Sequence, residues 1–328
     1  MNKPIHLIFS YSNCKFILKM FGLFSRKDKK PTIWVVTDGT EAVVQAMELA
    51  KRITDEKNIV QFDRMAAHSH SKGYPDFAIG ARMGVADTLL GIKARSGGKT
   101  AIVQILDPQK NHKDFDYIIL PSYEPYKVDG RVISTIGLIN YINDKVLEKA
   151  KQDLEKSKAF EYLRKKNLKA PFIAVMIGGK HVGGNVEEQD GRKLAEKLNY
   201  IIGRKGGTAL ISTSKRTEFT ALRGFREVIK VPHFIYDYKI REYDNPYDIF
   251  LHLAEEVIVT GDSVRMMSEA CSAGKKVRIF RPQELGFQYV PLLEELIRGG
   301  YAIDFETPET EYGCDRLDEA GRIASMIV

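Results

Sequence analysis

Short apolar runs alternate with amphipathic stretches along this chain, which predicts strands and helices in turn. The runs at 32–37, 59–62 and 101–106 are short and rich in β-branched residues, as in strands buried on both faces of a sheet. Residues 41–54 and 85–95 instead repeat apolar side chains at helical spacing. Two further strands are predicted at 77–79 and 117–120. Strands that alternate with helices in this way form a parallel sheet covered on both faces.

The same alternation starts again after Pro171 and predicts a second sheet. Strands are expected at 172–177, 208–213, 233–236, 257–259 and 277–280, and helices at 187–203, 246–255 and 292–297. The charged, Pro-free stretch 143–167 predicts a helix that leads into an interdomain linker. An amphipathic stretch at 315–326 ends the chain. These patterns predict an α/β protein with two Rossmann-like domains.

A sharp polar turn joins a predicted strand to a predicted helix within residues 259–280. Asp262 and Ser263 offer oxygens that can cap this helix. In an open α/β sheet, ligands bind at the carboxyl ends of the strands, where a helix amino terminus presents free N–H groups to an anion. Glu269 lies seven residues after Asp262 on the same helix face, where a carboxylate can accept hydrogen bonds from the paired hydroxyls of a sugar. The structural alternative makes Asp262 a cap and Glu269 the i,i+4 partner of Arg265.

The run NPYDIFLHLAEEVIVTGDSVRMMSEACSAGKKV at 245–277 resembles the signature segment of the mitochondrial fission family named for the plant elongated-mitochondria protein. Weaker similarity covers the chain from about Val35 to Phe280, and its pieces are IGG at 177–179, TSKRT at 213–217, LDP at 106–108, and Phe115-Asp116 before Pro121. That family in turn resembles glycosyltransferases of the GT-B fold, in which two Rossmann-like domains face each other across a cleft and the second holds a nucleotide-sugar. The resemblance therefore implies a GT-B-like fold.

On this basis the chain divides into five segments. They are a basic apolar tail at 1–30, an acceptor-side domain at 31–150, a helical linker at 151–170, a nucleotide-sugar domain at 171–310, and a terminal helix at 311–328. The resemblance implies the roles of the two domains, and it implies that the terminal helix packs back on the first domain.

Candidate donor-binding residues follow predicted strands of the second domain. Gly178 and Gly179 carry no side chain that would block the approach of a diphosphate to the backbone. Arg216 can grip phosphate oxygens bidentately and stabilise the charge of a nucleoside diphosphate leaving group without a metal. The other donor-side candidates are Thr213, Ser214, Asp262, Ser263 and Glu269. The alternatives are a tight turn at the glycine pair and a solvated turn at 214–216.

Candidate acceptor-side residues lie in the first domain. Asp38 follows the first predicted strand, so it can be the general base that takes a proton from an acceptor hydroxyl, or simply a helix cap. Arg82 can bind the acceptor or its phosphate. The set also contains Gly39, Thr40 and the weaker candidates Glu41 and Glu124. This half departs further from the family pattern than the donor half, so either the acceptor differs or the first domain has lost catalysis.

Basic residues are concentrated at the amino terminus. The 328-residue chain has a net charge of +7, and residues 1–30 supply +6 of it through seven basic side chains and one acidic one. The rest of the chain is nearly neutral, which argues against a nucleic-acid-binding face. The tail mixes basic with apolar and aromatic residues, so it can lie on an anionic membrane surface. It can equally be disordered, or an over-extended start with Met20 as the initiator.

The remaining composition gives no indication of a metal or a cofactor. Cys14, Cys271 and Cys314 are isolated, and the close pair His68 and His70 has no acidic or thiol partner nearby. No apolar run reaches the roughly 18 residues that a membrane span needs. We therefore expect a cytoplasmic protein, peripheral at the inner membrane if the tail binds there, whose oligomeric state the sequence leaves open. A nucleotide-sugar is expected as a substrate rather than as a cofactor.

Two functional hypotheses result. The first is a metal-independent glycosyltransferase that uses a nucleotide-sugar donor in envelope or lipid-linked glycan synthesis. The second is a non-catalytic adaptor that recruits a membrane-remodelling partner, as the name of the family implies. A dinucleotide-dependent oxidoreductase is disfavoured, because neither of the two first strand-to-helix turns has the GxGxxG arrangement.

Overall fold

The structure of the chain is a computed structural model that describes residues 30–66, 73–124, 131–240, 244–308 and 315–328. The predicted membrane-binding tail lies outside the described residues except for Lys30, and so do His68, His70, Cys14 and Cys314. Among the described residues, every helix is too short or too polar to span a lipid bilayer.

The first domain is a parallel six-stranded sheet. Its elements are β1 (Ile33–Thr37), α1 (Val43–Ile53), β2 (Ile59–Asp63), β3 (Phe77–Ala81), α2 (Ala86–Arg95), β4 (Ala101–Ile105), β5 (Tyr117–Pro121) and β6 (Val132–Thr135). The strand order is β2-β1-β3-β4-β5-β6, so the direction of the connections reverses between β1 and β3. Because the central strands are covered on both faces, β1 and β3 are buried along almost their whole length.

Two helices follow where a single helix leading into a linker was predicted. They are α3 (Asp144–Asp153) and α4 (Lys158–Lys165), and Ser157 separates them because its side chain accepts a hydrogen bond from the N–H of Phe160 and caps α4. Ala159 and Leu163 are buried in the core of the second domain. Residues 144–165 therefore pack as part of the second domain.

The second domain contains another parallel six-stranded sheet. Its elements are β7 (Phe172–Ile177), β8 (Gly184–Asn185), α5 (Glu188–Lys205), β9 (Thr208–Thr213), α6 (Phe219–Val228), β10 (His233–Tyr236), α7 (Tyr247–Leu253), β11 (Glu256–Thr260), α8 (Val264–Ser272), β12 (Lys276–Phe280), β13 (Glu284–Leu285), α9 (Val290–Arg298) and β14 (Ile303–Asp304). The order is β10-β9-β7-β11-β12-β14, with β8 and β13 as a separate antiparallel pair. The prediction of two Rossmann-like domains facing each other across a cleft, as in the GT-B arrangement, is confirmed.

The chain passes between the two domains twice, and both passages rest on α8. At the first, the N–H of Leu138 donates to Ser268 Oγ (2.9 Å) and Asn140 Nδ2 donates to Ser272 Oγ (3.0 Å). At the second, Ser272 Oγ donates to the carbonyl of Leu317 (2.8 Å). The terminal helix α10 (Glu319–Ile327) then packs against α1, with Ile323 in the core of the first domain.

Candidate functional site

The donor-side candidates meet where the order of the second sheet reverses. Strands β7 and β11 are neighbours whose connections leave in opposite directions, and such a switch point is the usual ligand-binding crevice of an open α/β sheet. Residues 178–179 follow β7, and residues 261–263 follow β11. A cleft of about 540 Å³ opens beside them. Its lining includes Thr213, Ser214, Arg216, Ser263 and Glu269 from the second domain and Glu41 from the first.

The glycine pair packs tightly within the protein. The N–H of Gly178 donates to Thr260 Oγ1 (2.8 Å), and that of Gly179 donates to Asp262 Oδ2 (2.7 Å). A Cβ atom at Gly178 would lie 2.0 Å from Asp262 Oδ2, and one at Gly179 would lie 2.2 Å from the carbonyl oxygen of Arg216. Both positions therefore need glycine for close packing, and both amides already have acceptors inside the fold.

Asp262 supports this loop and does not cap α8. Ser263 is the capping residue, since its Oγ accepts a hydrogen bond from the N–H of Met266 (3.4 Å). Asp262 is only 1% exposed, and its Oδ1 has no hydrogen-bond partner among the described residues. Burial raises the pKa of Asp262 above its usual value, although the amide of Gly179 and the charge of Arg216 act against this rise.

Arg216 is held at the amino terminus of α8. The turn that carries it is fastened to the glycine loop, because Ser214 Oγ donates to the carbonyl of Gly178 (3.1 Å) and accepts from the N–H of Arg216 (3.1 Å). The guanidinium Nη2 of Arg216 lies 3.4 Å from Ser263 Oγ. Since a helix amino terminus carries a partial positive charge, this corner of the cleft combines that partial charge with the full charge of Arg216.

Glu269 lies deeper in the same cleft and is 3% exposed. Arg265 Nε lies 2.8 Å from its Oε1, so the predicted i,i+4 pair is present, with one partner buried and the other half exposed. Burial raises the pKa of Glu269 in spite of this charge. Burial, and after it the charge of the same carboxylate, raises the pKa of the Tyr247 hydroxyl, which has no hydrogen-bond partner among the described residues. The two side chains offer an acceptor and a hydroxyl to one ligand.

Tyr247, Arg265 and His181 also line the cleft, and none of them was predicted from the sequence as a binding residue. His181 Nδ1 accepts from the N–H of Gly183 (3.3 Å), which leaves Nε2 to carry the proton of a neutral imidazole. Burial and the nearby charge of Arg216 lower its pKa, which favours this neutral form. Two features of the sequence could have indicated them: His181 lies in the loop after β7, and Tyr247 lies inside the 245–277 run.

In the first domain, Asp38, Gly39, Thr40 and Arg82 lie together where β1 and β3 end. Asp38 Oδ1 accepts from the N–H (3.1 Å) and the hydroxyl (2.6 Å) of Thr40, whereas α1 begins after Ala42 without a side-chain cap. Burial raises the pKa of Asp38, but the hydrogen bonds from Thr40 and the charge of Arg82 outweigh this and leave it lowered. Asp38 is therefore not a helix cap.

The other two acidic candidates lie apart from this group. Glu124 follows β5, which β3 and β4 separate from β1, and burial and the charge of Asp107 raise its pKa. Glu41 reaches across the cleft, with its carboxylate 2.8 Å from Arg265 Nη1 and 3.5 Å from Lys215 Nζ. Within the described residues, no group of three acidic, His or Cys side chains is placed to hold a metal ion.

Comparison with known proteins identifies relatives. A family model described as mitochondrial fission ELM1 matches residues 21–328. The chain is 28% identical over 259 residues to an uncharacterised protein of Rickettsia prowazekii (strain Madrid E), covering 69% of this chain and 72% of that protein. It is 23% identical over 247 residues to the mitochondrial fission protein ELM1 of Arabidopsis thaliana, covering 69% of this chain and 55% of the plant protein. It thus spans about half the length of the plant relative.

Two solved structures are similar to the chain over most of its length, at low sequence identity. An α,α-trehalose-phosphate synthase (UDP-forming) from Burkholderia xenovorans has a TM-score of 0.42 and 9% identity, covering 87% of this chain and 69% of that one. MurG from Acinetobacter baumannii has a TM-score of 0.41 and 10% identity, covering 90% of both chains.

Proposed function

The chain belongs to the mitochondrial fission ELM1 family, and we propose that it is a metal-independent glycosyltransferase that binds a nucleotide-sugar in the cleft of its second domain. One observation carries the proposal: Arg216, the amino terminus of α8 and the buried Glu269 all line a single cleft at the switch point of the sheet. Ligand sites are expected at such a place, and these groups are complementary to an anion joined to a sugar.

The donor would lie along α8. Its diphosphate would occupy the corner at Ser263, where Arg216 and the first amides of the helix supply positive charge. Glu269 lies six residues further on, or about 9 Å along the helix axis, where its carboxylate can accept hydrogen bonds from ribose hydroxyls. This order along α8 fits a nucleoside diphosphate with its phosphates at the amino terminus.

Transfer would use the edge of the first domain's sheet where β1 and β3 end. The acceptor hydroxyl would attack the anomeric carbon and give its proton to Asp38, while the bond from that carbon to the diphosphate oxygen breaks. The electron pair stays on the diphosphate, and Arg216 stabilises the charge that develops there. Attack opposite the leaving group inverts the anomeric centre. An envelope or lipid-linked acceptor fits the basic apolar sequence of residues 1–30.

Isothermal titration with UDP-, GDP-, CMP- and ADP-sugars tests the donor site. We expect one of these to bind the wild type, and Arg216→Ala to weaken its affinity roughly ten- to hundredfold, because a hydrogen bond to a charged group contributes about 1.5–3 kcal/mol. The matched control is Arg164→Ala, which removes an exposed guanidinium far from the cleft on α4. The donor proposal is wrong if no panel member binds and Arg216→Ala behaves like the wild type.

The adaptor hypothesis has one observation in its favour. Asp38 has a lowered pKa and a carboxylate oxygen already bonded to Thr40, which makes it a weak base. A binding protein without turnover would tolerate that arrangement. Co-sedimentation with anionic vesicles and pull-down of partners, with and without residues 1–30, distinguish the two functions. Deletion of residues 1–30 should abolish membrane or partner binding by an adaptor, whereas Arg216→Ala should leave both unchanged. An adaptor also does not consume the nucleotide-sugar.

A further inference from the structure

The first sheet has a switch point of its own. Strands β1 and β3 are neighbours, and the chain leaves β1 towards β2 but leaves β3 towards β4. Asp38 follows β1 and Arg82 follows β3, so these two side chains stand at the place where an open α/β sheet binds ligands. The corresponding positions of the second sheet hold the glycine loop and Ser263.

Arg82 occupies a backbone conformation that normally requires glycine. Its φ is 71° and its ψ is 163°, a region that residues with a Cβ atom rarely adopt. Hydrogen bonds hold it there: its N–H donates to the carbonyl of Ile105 (2.8 Å), and its carbonyl accepts from Gln104 Nε2 (3.1 Å). Gln104 is fully buried. A glycine could adopt this backbone conformation without strain. The arginine therefore offers this position only its side chain in return for the strain.

The guanidinium of Arg82 is available to a ligand. It is exposed, and within the described ranges it has no carboxylate close enough for an ion pair, although its charge lowers the pKa of Asp38. A second guanidinium borders the same turn, because Arg64 Nη1 donates to the carbonyl of Gly84 (2.9 Å). Asp38 Oδ2 lies against Gly84, 2.5 Å from where a Cβ atom would be. The turn therefore carries two guanidinium groups and one carboxylate, and this net positive charge favours an anion.

We propose that the β1/β3 switch point is a second anion site, in which Arg82 binds a phosphate group of the acceptor. Arginine suits this role, since its planar fork matches two phosphate oxygens at once. The phosphate would fix the acceptor beside Asp38, the candidate base. The inference rests on the proposed function in naming the acceptor class, but the anion site itself is tested without any transfer reaction.

The test measures how inorganic phosphate changes the thermal unfolding midpoint, with sodium chloride at equal ionic strength as the reference. Arg216→Ala serves as the background, because it removes the other phosphate-binding guanidinium. Arg82→Gly and Arg82→Gln are added to this background. Arg82→Gln loses the charge but keeps a side chain on the strained backbone. Gln109→Gly is the matched control, as Gln109 is also exposed, has a φ of 51° and lies in the loop after the neighbouring strand.

We expect phosphate to raise the midpoint in the background and in Gln109→Gly, and to have no effect once Arg82 is replaced. Without phosphate, Arg82→Gly should raise the midpoint by about 2 °C through loss of strain, whereas Arg82→Gln should leave it unchanged. The proposal is overturned if phosphate has no effect in the background, if both Arg82 variants keep the rise, or if Arg82→Gly lowers the midpoint. Titration of UDP into Arg82→Gly and Arg82→Gln with Arg216 intact separates the two sites, since failure of the donor site abolishes UDP binding there and leaves the phosphate comparison intact.

Discussion

The carboxylate of Glu41 in the first domain lies 2.8 Å from the guanidinium of Arg265 in the second. Arg265 thereby sits between two acids, with exposed Glu41 on one side of the cleft and buried Glu269 on the other. A ligand that carries negative charge into this cleft meets the same cation that already joins the two domains.

Glu41→Gln should strengthen the binding of UDP. The neutral side chain no longer forms ion pairs with Arg265 and Lys215, so both cations are available to the ligand. Because an exposed ion pair contributes little free energy, the expected gain in affinity is roughly two- to fivefold. Isothermal titration at low salt measures the change, and salt near 1 M should remove it through screening. Glu56→Gln, an exposed substitution with the same charge change outside the cleft, is the control. Equal effects of both variants would contradict the assignment.

Glu269→Gln should weaken UDP binding about tenfold or more while preserving the fold. Because burial raises the pKa of Glu269 above 4.5, folding disfavours its ionised form, and the wild type loses stability as the pH rises from 4.5 through the folded-state pKa. Glutamine does not ionise, so the stability of the variant relative to the wild type should increase over that interval.

Urea unfolding from pH 4 to pH 8 measures this difference. Exposed Glu196→Gln is the control for a carboxylate lost from the surface. A relative stability of Glu269→Gln that falls as the pH rises would show that the carboxylate stabilises the fold, against the expectation.

Gly179→Ala should both destabilise the protein and impair the cleft. Its Cβ atom would lie 2.2 Å from the carbonyl oxygen of Arg216, so the turn must move, at a cost of about 1–3 kcal/mol for overpacking. Gly203→Ala is the contrasting variant, since nothing lies within 4 Å of a Cβ atom there and alanine in a helix gains about 0.5–1 kcal/mol. Urea unfolding should show a loss of stability for Gly179→Ala and a gain for Gly203→Ala, and UDP titration should show weaker binding for Gly179→Ala only. Normal UDP binding by a destabilised Gly179→Ala would show that this turn does not shape the binding site.

Ile323→Ala should test the contact between α10 and the first domain. Ile323 is fully buried in the core formed with α1, and truncation of such a side chain costs about 2–5 kcal/mol. Met326, on the same helix but 40% exposed, provides the control, and Met326→Ala should cost less than about 1 kcal/mol. Equal losses in urea unfolding would mean that α10 is not docked as described.

Sequence patterns located the buried strands closely and missed elements whose signal is ambiguous. The bounds of β7 and β9 agree with the prediction, because a strand covered on both faces is a continuous apolar run between polar turns. The bounds of β10 also agree, although it is an edge strand with alternating burial. Helix α6 was not predicted, and its ten residues include Gly224, which lowers the helix propensity of the segment. A Cβ atom there would lie 2.2 Å from the carbonyl oxygen of Glu188, so this glycine allows α5 and α6 to pack closely. In the sequence alone, such a glycine resembles a helix breaker.

The grouping of site residues was predictable in outline, since strand ends of one parallel sheet share an edge. The roles of individual residues were not. The hydrogen bond from Gly179 to Asp262 joins positions 83 apart in sequence, and no local pattern distinguishes that partner from a helix cap. Tyr247 lies at the start of α7 and Glu269 lies in α8, so only the tertiary fold brings these two side chains together.

Helix α8 spans 9 residues and has a different neighbour at each end. Its first turn borders the cleft at Ser263, while Ser268 and Ser272 hold both segments of chain that pass between the domains. The segments that join the two domains and one border of the cleft are therefore held by the same helix. A rotation of one domain against the other would act on the same two and a half turns of helix that border the ligand cleft, so ligand binding and domain orientation are expected to depend on each other.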